Sequence, residues 1–409
     1  MSCCSTSTSN LMPLDEALKL LIGSAVIITD EEAVELNHAM GRVLSKAVVS
    51  TIDVPAWDNS AMDGYAVRYG DIINLDELPV SQRIPAGTHG SPLQPGTAAR
   101  IFTGAPVPEG ADTVIMQEII TRDGEMIRVD GSVTQGSNIR RAGEDIQKGK
   151  EVISTGTRLQ AQHIGLAAST GTSNLTVKRK LRVAIFTTGN ELTMPGDDLA
   201  AGKIYNSNSY LFRGLLEKLG CEVIDLGNVK DEHQATCDAI QTAADQADLI
   251  LSSGGVSVGE EDYVKKALEE LGRLDLWKIA VRPGKPLAYG NINGVPFIGV
   301  PGNPVSLFIT FSVFVRPFIL RSMGIEQTRP DEYTAIAGFD WLRPDKRTEY
   351  MRARIETNDE GLSVASVYPS RSSGVLSSVT WADGMVVINP EQKLMKGDAV
   401  RFIPFSSLY

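Results

Sequence analysis

The segment Ser252–Tyr263 reads SSGGVSVGEEDY and joins a glycine-rich turn to three successive acids, Glu260, Glu261 and Asp262. Glycine turns after a strand let backbone N–H groups close on a phosphate, whereas carboxylates repel one. Both suit a phosphorylated ligand that arrives with a divalent metal, because Mg²⁺ takes a few carboxylates beside substrate phosphates. The segment is not a Walker A loop, since no Lys-Ser/Thr follows the glycines, and it is not GxGxxG. Gly254, Gly255 and Ser257 offer close backbone approach. Glu260 and Glu261 read as complements to a helix dipole. Spacing leaves Asp262 open between that role and a ligand.

Two more glycine or strand-end segments carry acids: Glu191 in TTGNEL (187–192) and Asp231 in GNVKDE (227–232). Each alone is equally a turn acid or a helix cap. Three acids on three loops of one rim make a stronger case for a metal beside phosphate. WKIAVRPGKP (277–286) supplies Lys278, Arg282 and Lys285. Alternation about a short strand there places Lys278 and Arg282 on one face, suited to an oxyanion. In VPGNPVS (300–306), Asn303 reads as an N-cap and Pro304 as the first helical residue, an anion-friendly start.

These loops need a scaffold. LRVAIFTTG (181–189) is a near-continuous apolar run ending in glycine, the mark of a buried parallel strand. A helix over 207–220, a strand over 221–227, a helix over 232–246, a strand over 248–255 and a helix over 261–272 follow. Strict alternation predicts a doubly wound α/β domain, with ligands beyond the carboxyl ends of its strands. A hairpin around NING (291–294) precedes Val305–Val315, an apolar run too short to span a bilayer, which reads as a buried helix. Upstream, helical patterns occupy 13–22, 31–45 and 159–171, around Pro/Gly-punctuated short strands. After about 329 the chain is again strand-like and reads as a small all-β domain. The expected domains are 12–54 plus 147–180, 55–146, 181–329 and 330–409.

Composition narrows the function. The 409 residues are 42% hydrophobic and 22% charged, with a formal net charge of −11. An acidic surface argues against broad nucleic-acid or anionic-membrane binding, so an anionic ligand needs a locally basic pocket. Cys3, Cys4, Cys221 and Cys237 form no CxxC pair with a second pair or a histidine cluster, and His38, His89, His163 and His233 are scattered. Neither a zinc site nor a disulfide framework is indicated. A reduced, cytoplasmic setting fits. The start, MSCCSTSTSN, has no signal-peptide pattern and reads as a disordered tail.

Seven motifs now stand in order: DNSAMDGYAV, RIFTGAPVPEGADTVIMQE, NIRRAGEDI, TTGNEL, SSGGVSVGEEDY, RPGKPLAYG and VPGNPVS. Together they resemble the molybdopterin molybdenumtransferase family, which includes bacterial MoeA and the E-domain of gephyrin. The resemblance implies a multidomain α/β and β protein. Its central doubly wound domain resembles the molybdopterin adenylyltransferase fold, between a β-rich upstream domain and a small all-β C-terminal one. It further implies a homodimer whose cleft is shared between subunits, and Mg²⁺-dependent insertion of molybdate into adenylylated molybdopterin with release of AMP. Glu191, Asp231 and Asp262 would manage metal and charge. Gly254, Gly255 and Ser257 would approach the ligand, with Pro301 and Pro304 shaping the floor. Lys278, Arg282 and Lys285 would face anions, and Arg352 and Ser373 would lie near molybdate. Asp63, Thr103 and Asp145 would come from the partner subunit. Two departures are Asn190, where many relatives carry Asp, and Arg282, where many carry Lys. The competing readings are an adenylyltransferase of the same pathway, itself a possible contact, and a gephyrin-like non-enzymatic scaffold.

Overall fold

The computed structural model describes residues 11–255 and 263–408, so Ser257, Glu260, Glu261 and Asp262 lie outside the described residues. The described residues divide into two compact units, one of residues 11–32, 41–43, 178–255 and 263–408, the other of residues 33–40 and 44–177.

A six-stranded sheet organises the larger unit, in the order Glu222–Val229, Arg182–Thr188, Leu249–Ser253, Val295–Val300, Pro286–Ile292, Arg273–Lys278. The first four strands are parallel, and Pro286–Ile292 runs antiparallel to both of its neighbours. Side chains alternate between the two faces of a strand. Val183, Ile185, Leu249 and Leu251 therefore pack on one side with Phe212, Leu215, Phe311 and Phe314. Ala184, Phe186, Ile250 and Phe297 pack on the other with Ile240, Ala243, Ala267 and Leu268. Burial on both faces explains the unbroken apolar strands in the sequence.

From Arg182–Thr188 the chain moves outward to Glu222–Val229, then returns to the opposite side as Leu249–Ser253. Connections that diverge in this way open a crevice at the carboxyl ends of the strands. Thr188-Gly189 and Gly254-Gly255 stand at that point.

The helix Pro304–Ser322 includes a π-turn at Phe311–Val315. It is long and apolar enough to cross a membrane, yet 89% of its most apolar stretch is buried inside the protein, as a core helix requires. Beyond it, Thr348–Thr357 pairs with both Ser363–Val367 and Gly384–Ile388. The row continues through Tyr333–Ala337 and Ala399–Pro404 back to Gly384–Ile388, closing a small barrel. Val281–Arg282 adds to its edge, with Arg282 opposite Glu349.

The smaller unit holds a six-stranded sheet of its own, in the order Thr113–Met116, Gly64–Val67, Ala98–Ile101, Leu78–Ile84, Met126–Val129, Ile120–Asp123. Residues 31–45 do not form the expected helix. They contain the strand Glu31–Glu35 and a 3₁₀ turn, Leu36–His38. Glu31–Glu35 pairs with the strand Asn174–Lys178, and Val34 packs against the cluster that holds Ala39 and Leu44, so tertiary pairing overrides the helical propensity of EEAVEL.

Phe212 is fully buried and meets Phe311 with ring centroids 6.4 Å apart. Phe212→Ala is expected to cost about 3–5 kcal/mol, read as a lower denaturant midpoint for the larger unit.

Candidate active site

The Leu249–Ser253 strand runs into Gly254 (φ +96°) and Gly255 (φ +64°). A Cβ on Gly254 would lie 2.7 Å from the Thr188 carbonyl oxygen, and one on Gly255 would lie 2.4 Å from Val264 Cγ2. Only glycine meets both demands here. Asn208 ties the neighbouring loops together, its side-chain amide donating to Ser253 Oγ (2.8 Å) and to the Gly302 carbonyl (2.6 Å). This is the waist of a cleft with two lobes.

One lobe is acidic. Its cavity of about 680 Å³ is lined by Glu191 and Asp231 together with Thr188, Asn206 and Pro304. The Glu191 carboxylate folds back over Gly189, where a Cβ would meet its oxygens at 2.7 and 2.8 Å. Asp231 does not cap the following helix. Its Oδ2 accepts the Asn190 backbone N–H at 2.8 Å, and the N-cap position belongs to Glu232, whose side chain makes no capping bond. Lys203 Nζ donates to the Asn190 carbonyl. The Asn190 loop is thus held through its backbone. Two carboxylates on two loops, beside backbone and hydroxyl oxygens, are the hard oxygen donors that suit Mg²⁺.

The other lobe is basic. Its cavity of about 550 Å³ is lined by Arg282, Lys285, Arg347 and Arg371 with Ser306, Ser372 and Ser373. Gly254, Gly255, Gly302 and Asn303 line both lobes, which makes the cleft continuous. Arg347 grips Asp345 with a two-pronged fork, Nε and Nη2 each 2.8 Å from a carboxylate oxygen, and Arg282 Nη1 joins at 2.9 Å. Arg371 Nη2 lies 2.8 and 2.7 Å from the two oxygens of Glu349, which is 1% exposed, and its guanidinium stacks over Trp341 at 4.7 Å. The hydrogen bond from Arg347, reinforced by Arg282, holds the Asp345 carboxyl well below the usual carboxylate range. Asp345 in turn raises the Arg347 guanidinium above its ordinary value. Four cations face two carboxylates, a formal surplus of two positive charges. The carboxylates lock the guanidinium forks without cancelling the field.

Three family profiles match: MoeA N-terminal region (domain I and II) over 12–171, "Probable molybdopterin binding domain" over 184–321, and MoeA C-terminal region (domain IV) over 334–405. The chain is 37% identical over 407 residues to a molybdopterin molybdenumtransferase of Haemophilus influenzae, covering 97% of this chain and 100% of that one. A Nostoc protein of the same name is 38% identical over 88% of this chain and 85% of its own. The crystal structure of a molybdopterin biosynthesis MoeA protein from Pyrococcus horikoshii superposes with a TM-score of 0.85 at 31% identity, covering 97% and 100% of the two chains. The chain belongs to the molybdopterin molybdenumtransferase family.

In this molybdenumtransferase-family chain the structure gathers Glu191, Asp231, Gly254, Gly255 and Pro304 in the acidic lobe, and Arg282, Lys285, Pro301 and Ser373 in the basic one. Lys278 lines neither. It ends one strand of the central sheet, opposite Pro286, whereas Arg282 has crossed to the barrel edge, so the two do not share a strand face. Arg352 is fully buried beneath the lobe rather than lining it. Its Nε donates to Ser378 Oγ (2.9 Å) and Nη2 to the Ser370 carbonyl (2.6 Å), so it braces the loop that carries Ser372 and Ser373. Burial lowers its guanidinium from the ordinary value. Arg347 and Arg371 were missed in the sequence. A usable signal was DKRTE, where residues 345, 347 and 349 alternate acid, base, acid along a strand start. Asn303 occupies the expected N-cap position, although its side chain makes no capping bond.

In the smaller unit, Asp63 Oδ1 accepts both the Thr103 backbone N–H (2.8 Å) and the Thr103 hydroxyl (2.9 Å). That backbone bond lowers the Asp63 carboxyl. Asn59–Ser60 pairs with Ile139–Arg140, and Asp58 accepts the Ala142 N–H at 2.8 Å. Asp145 is exposed on the same turn, its N–H donating to the Val54 carbonyl at 3.1 Å.

Gly254→Ala is expected to lower the melting temperature and to cut activity by at least about tenfold, because the opposing Thr188 backbone has no rotamer with which to yield. Asp345 is expected to show acid-side linkage. Its folded pKa lies below its ordinary value of about 3.9, so its contribution is complete above that value and lost as pH falls through the folded pKa. The stability gap between wild type and Asp345→Asn should therefore be flat from about pH 8 to 5 and shrink below about pH 4, measured by urea unfolding.

Proposed function

We propose that the cleft inserts molybdate into adenylylated molybdopterin and releases AMP, as an Mg²⁺-requiring step of molybdenum cofactor biosynthesis. The observation that carries this reading is the separation of charge across one glycine waist. A nucleotide phosphoanhydride with its metal suits the acidic lobe, and a tetrahedral oxyanion suits the basic one. The surplus of two positive charges in the basic lobe complements a molybdate dianion, with Arg282, Lys285 and Arg347 as donors and Ser372-Ser373 closing the lobe.

Glu191 and Asp231 would hold the Mg²⁺, with Asp262 from outside the described residues as a third candidate. When bound, the ion polarises the phosphoanhydride and stabilises developing charge. The protein's own part is positional. Gly254 and Gly255 admit the ligand against the backbone, and the locked arginine forks hold the oxyanion beside the dithiolene sulfurs. No protein nucleophile is needed. In the same reading the protein works in the cytoplasm as a homodimer, where Asp63, Thr103 and Asp145 of a second copy complete each cleft and the pathway's adenylyltransferase is a contact. The exposed, ionised Asp63–Thr103 turn supports that role, as do the buried thiols Cys221 and Cys237 for a reducing setting.

AMP release from adenylylated molybdopterin with Mg²⁺ is expected to depend on molybdate. Lys285→Ala should raise the molybdate concentration required by at least about tenfold while nucleotide binding is retained. A folded protein that binds the nucleotide but releases no AMP with either molybdate or tungstate would overturn the reading. Mixing inactive Asp63→Ala and Asp262→Ala subunits should restore one working site per pair, and no recovery after verified exchange would remove the shared cleft.

A further inference from the structure

Away from the cleft lining, two helices bring together three side chains that the function above does not use. His233 opens the helix His233–Gln246, Cys237 follows one turn later on the same face, and Glu270 lies in the last turn of Tyr263–Leu271. Their ligand atoms all lie within 4.8 Å of one another. His233 Nε2 is 3.8 Å from Cys237 Sγ and 3.2 Å from a Glu270 carboxylate oxygen. A tetrahedral ion with bonds of about 2.0–2.3 Å holds its ligands about 3.3–3.8 Å apart. The two separations from His233 Nε2 lie at about that edge length, and the Cys237–Glu270 separation is within 4.8 Å, about an ångström of closure from it.

We propose that His233, Cys237 and Glu270 form a binding site for a thiophilic divalent cation, with Zn²⁺ the best fit and water as the fourth ligand. Sulfur and imidazole select Zn²⁺ over Mg²⁺ or Ca²⁺, which prefer oxygen alone. A thiolate and a carboxylate together balance the ion's charge. Cys237 is 5% exposed and forms the floor, while the His233 and Glu270 side chains are 40% and 62% exposed and give the ion an access path. The site would clamp the start of one helix, two residues after Asp231, to the end of its neighbour. An i, i+4 His-Cys pair whose third ligand comes from another helix carries none of the CxxC or clustered-histidine spacing that marks a zinc site in a sequence.

The competing account is a plain His233–Glu270 ion pair beside a buried thiol. Co²⁺ titration of the full chain separates the two, in a Cys3→Ser/Cys4→Ser background with excess Mg²⁺ present. One equivalent of Co²⁺ should produce a thiolate-to-cobalt charge-transfer band and the visible bands of a tetrahedral site, both erased by Zn²⁺. Cys237→Ser should abolish the charge-transfer band, and His233→Ala or Glu270→Gln should weaken binding by about tenfold or more. Zn²⁺ should raise the melting temperature of the parent but not of Cys237→Ser, whose metal-free melting temperature reports whether it folds. No band from folded parent protein, or a band that survives Cys237→Ser, would overturn the proposal.

Discussion

The site depends on a backbone approach that tolerates no side chain. At the switch point of the central sheet, a Cβ on Gly254 would lie 2.7 Å from the Thr188 carbonyl oxygen, and one on Gly255 would lie 2.4 Å from Val264 Cγ2. Three loops from three strands meet there, pinned by Asn208 to Ser253 and Gly302. Because the waist is narrow and made of backbone, the charged side chains are pushed to its two sides. Glu191 and Asp231 stand on one side, and on the other four cations outnumber Asp345 and Glu349, which gives the cleft its polarity.

The basic side depends on a second constraint, the passage of the chain from the central sheet to the barrel. Val281–Arg282 leaves one sheet and pairs with Thr348 and Glu349 of the other. That register sets Arg282 beside the Asp345 and Glu349 carboxylates, which also hold Arg347 and Arg371. Pre-formed ion pairs of this kind add little to stability through their own Coulomb energy. Their use here is to fix donor geometry before an anion arrives, which lowers the ordering cost of binding.

Much of this was legible in the sequence because it follows from local rules. Apolar runs ending in glycine placed TTGNEL, GNVKDE and SSGG on one rim, and Glu191, Asp231, Gly254 and Gly255 meet there. Errors arose where tertiary pairing decides. WKIAVRPG looks like one strand, but the chain changes sheets within it, which parts Lys278 from Arg282. Arg352 lies on the strand face opposite the barrel-core residues Met351 and Ala353, and it reaches the basic lobe through the Ser370–Ser372 loop that it braces. The alternation in DKRTE hints at Arg347, whereas Arg371 enters the site through a contact between distant segments, with Glu349, that no local pattern encodes. The segment 31–45 has helical propensity, but Glu31–Glu35 is taken up as a strand by pairing with the distant Asn174–Lys178.

The central claim is that the two lobes do separate work, and molybdate binding in the absence of nucleotide tests it most directly. Calorimetric titration of molybdate into wild type, Lys285→Ala and Glu191→Gln proteins would suffice. The account predicts that Lys285→Ala weakens molybdate binding by at least about tenfold, while Glu191→Gln leaves it unchanged or slightly tighter. Equal losses in both variants, or binding indifferent to Lys285, would contradict it.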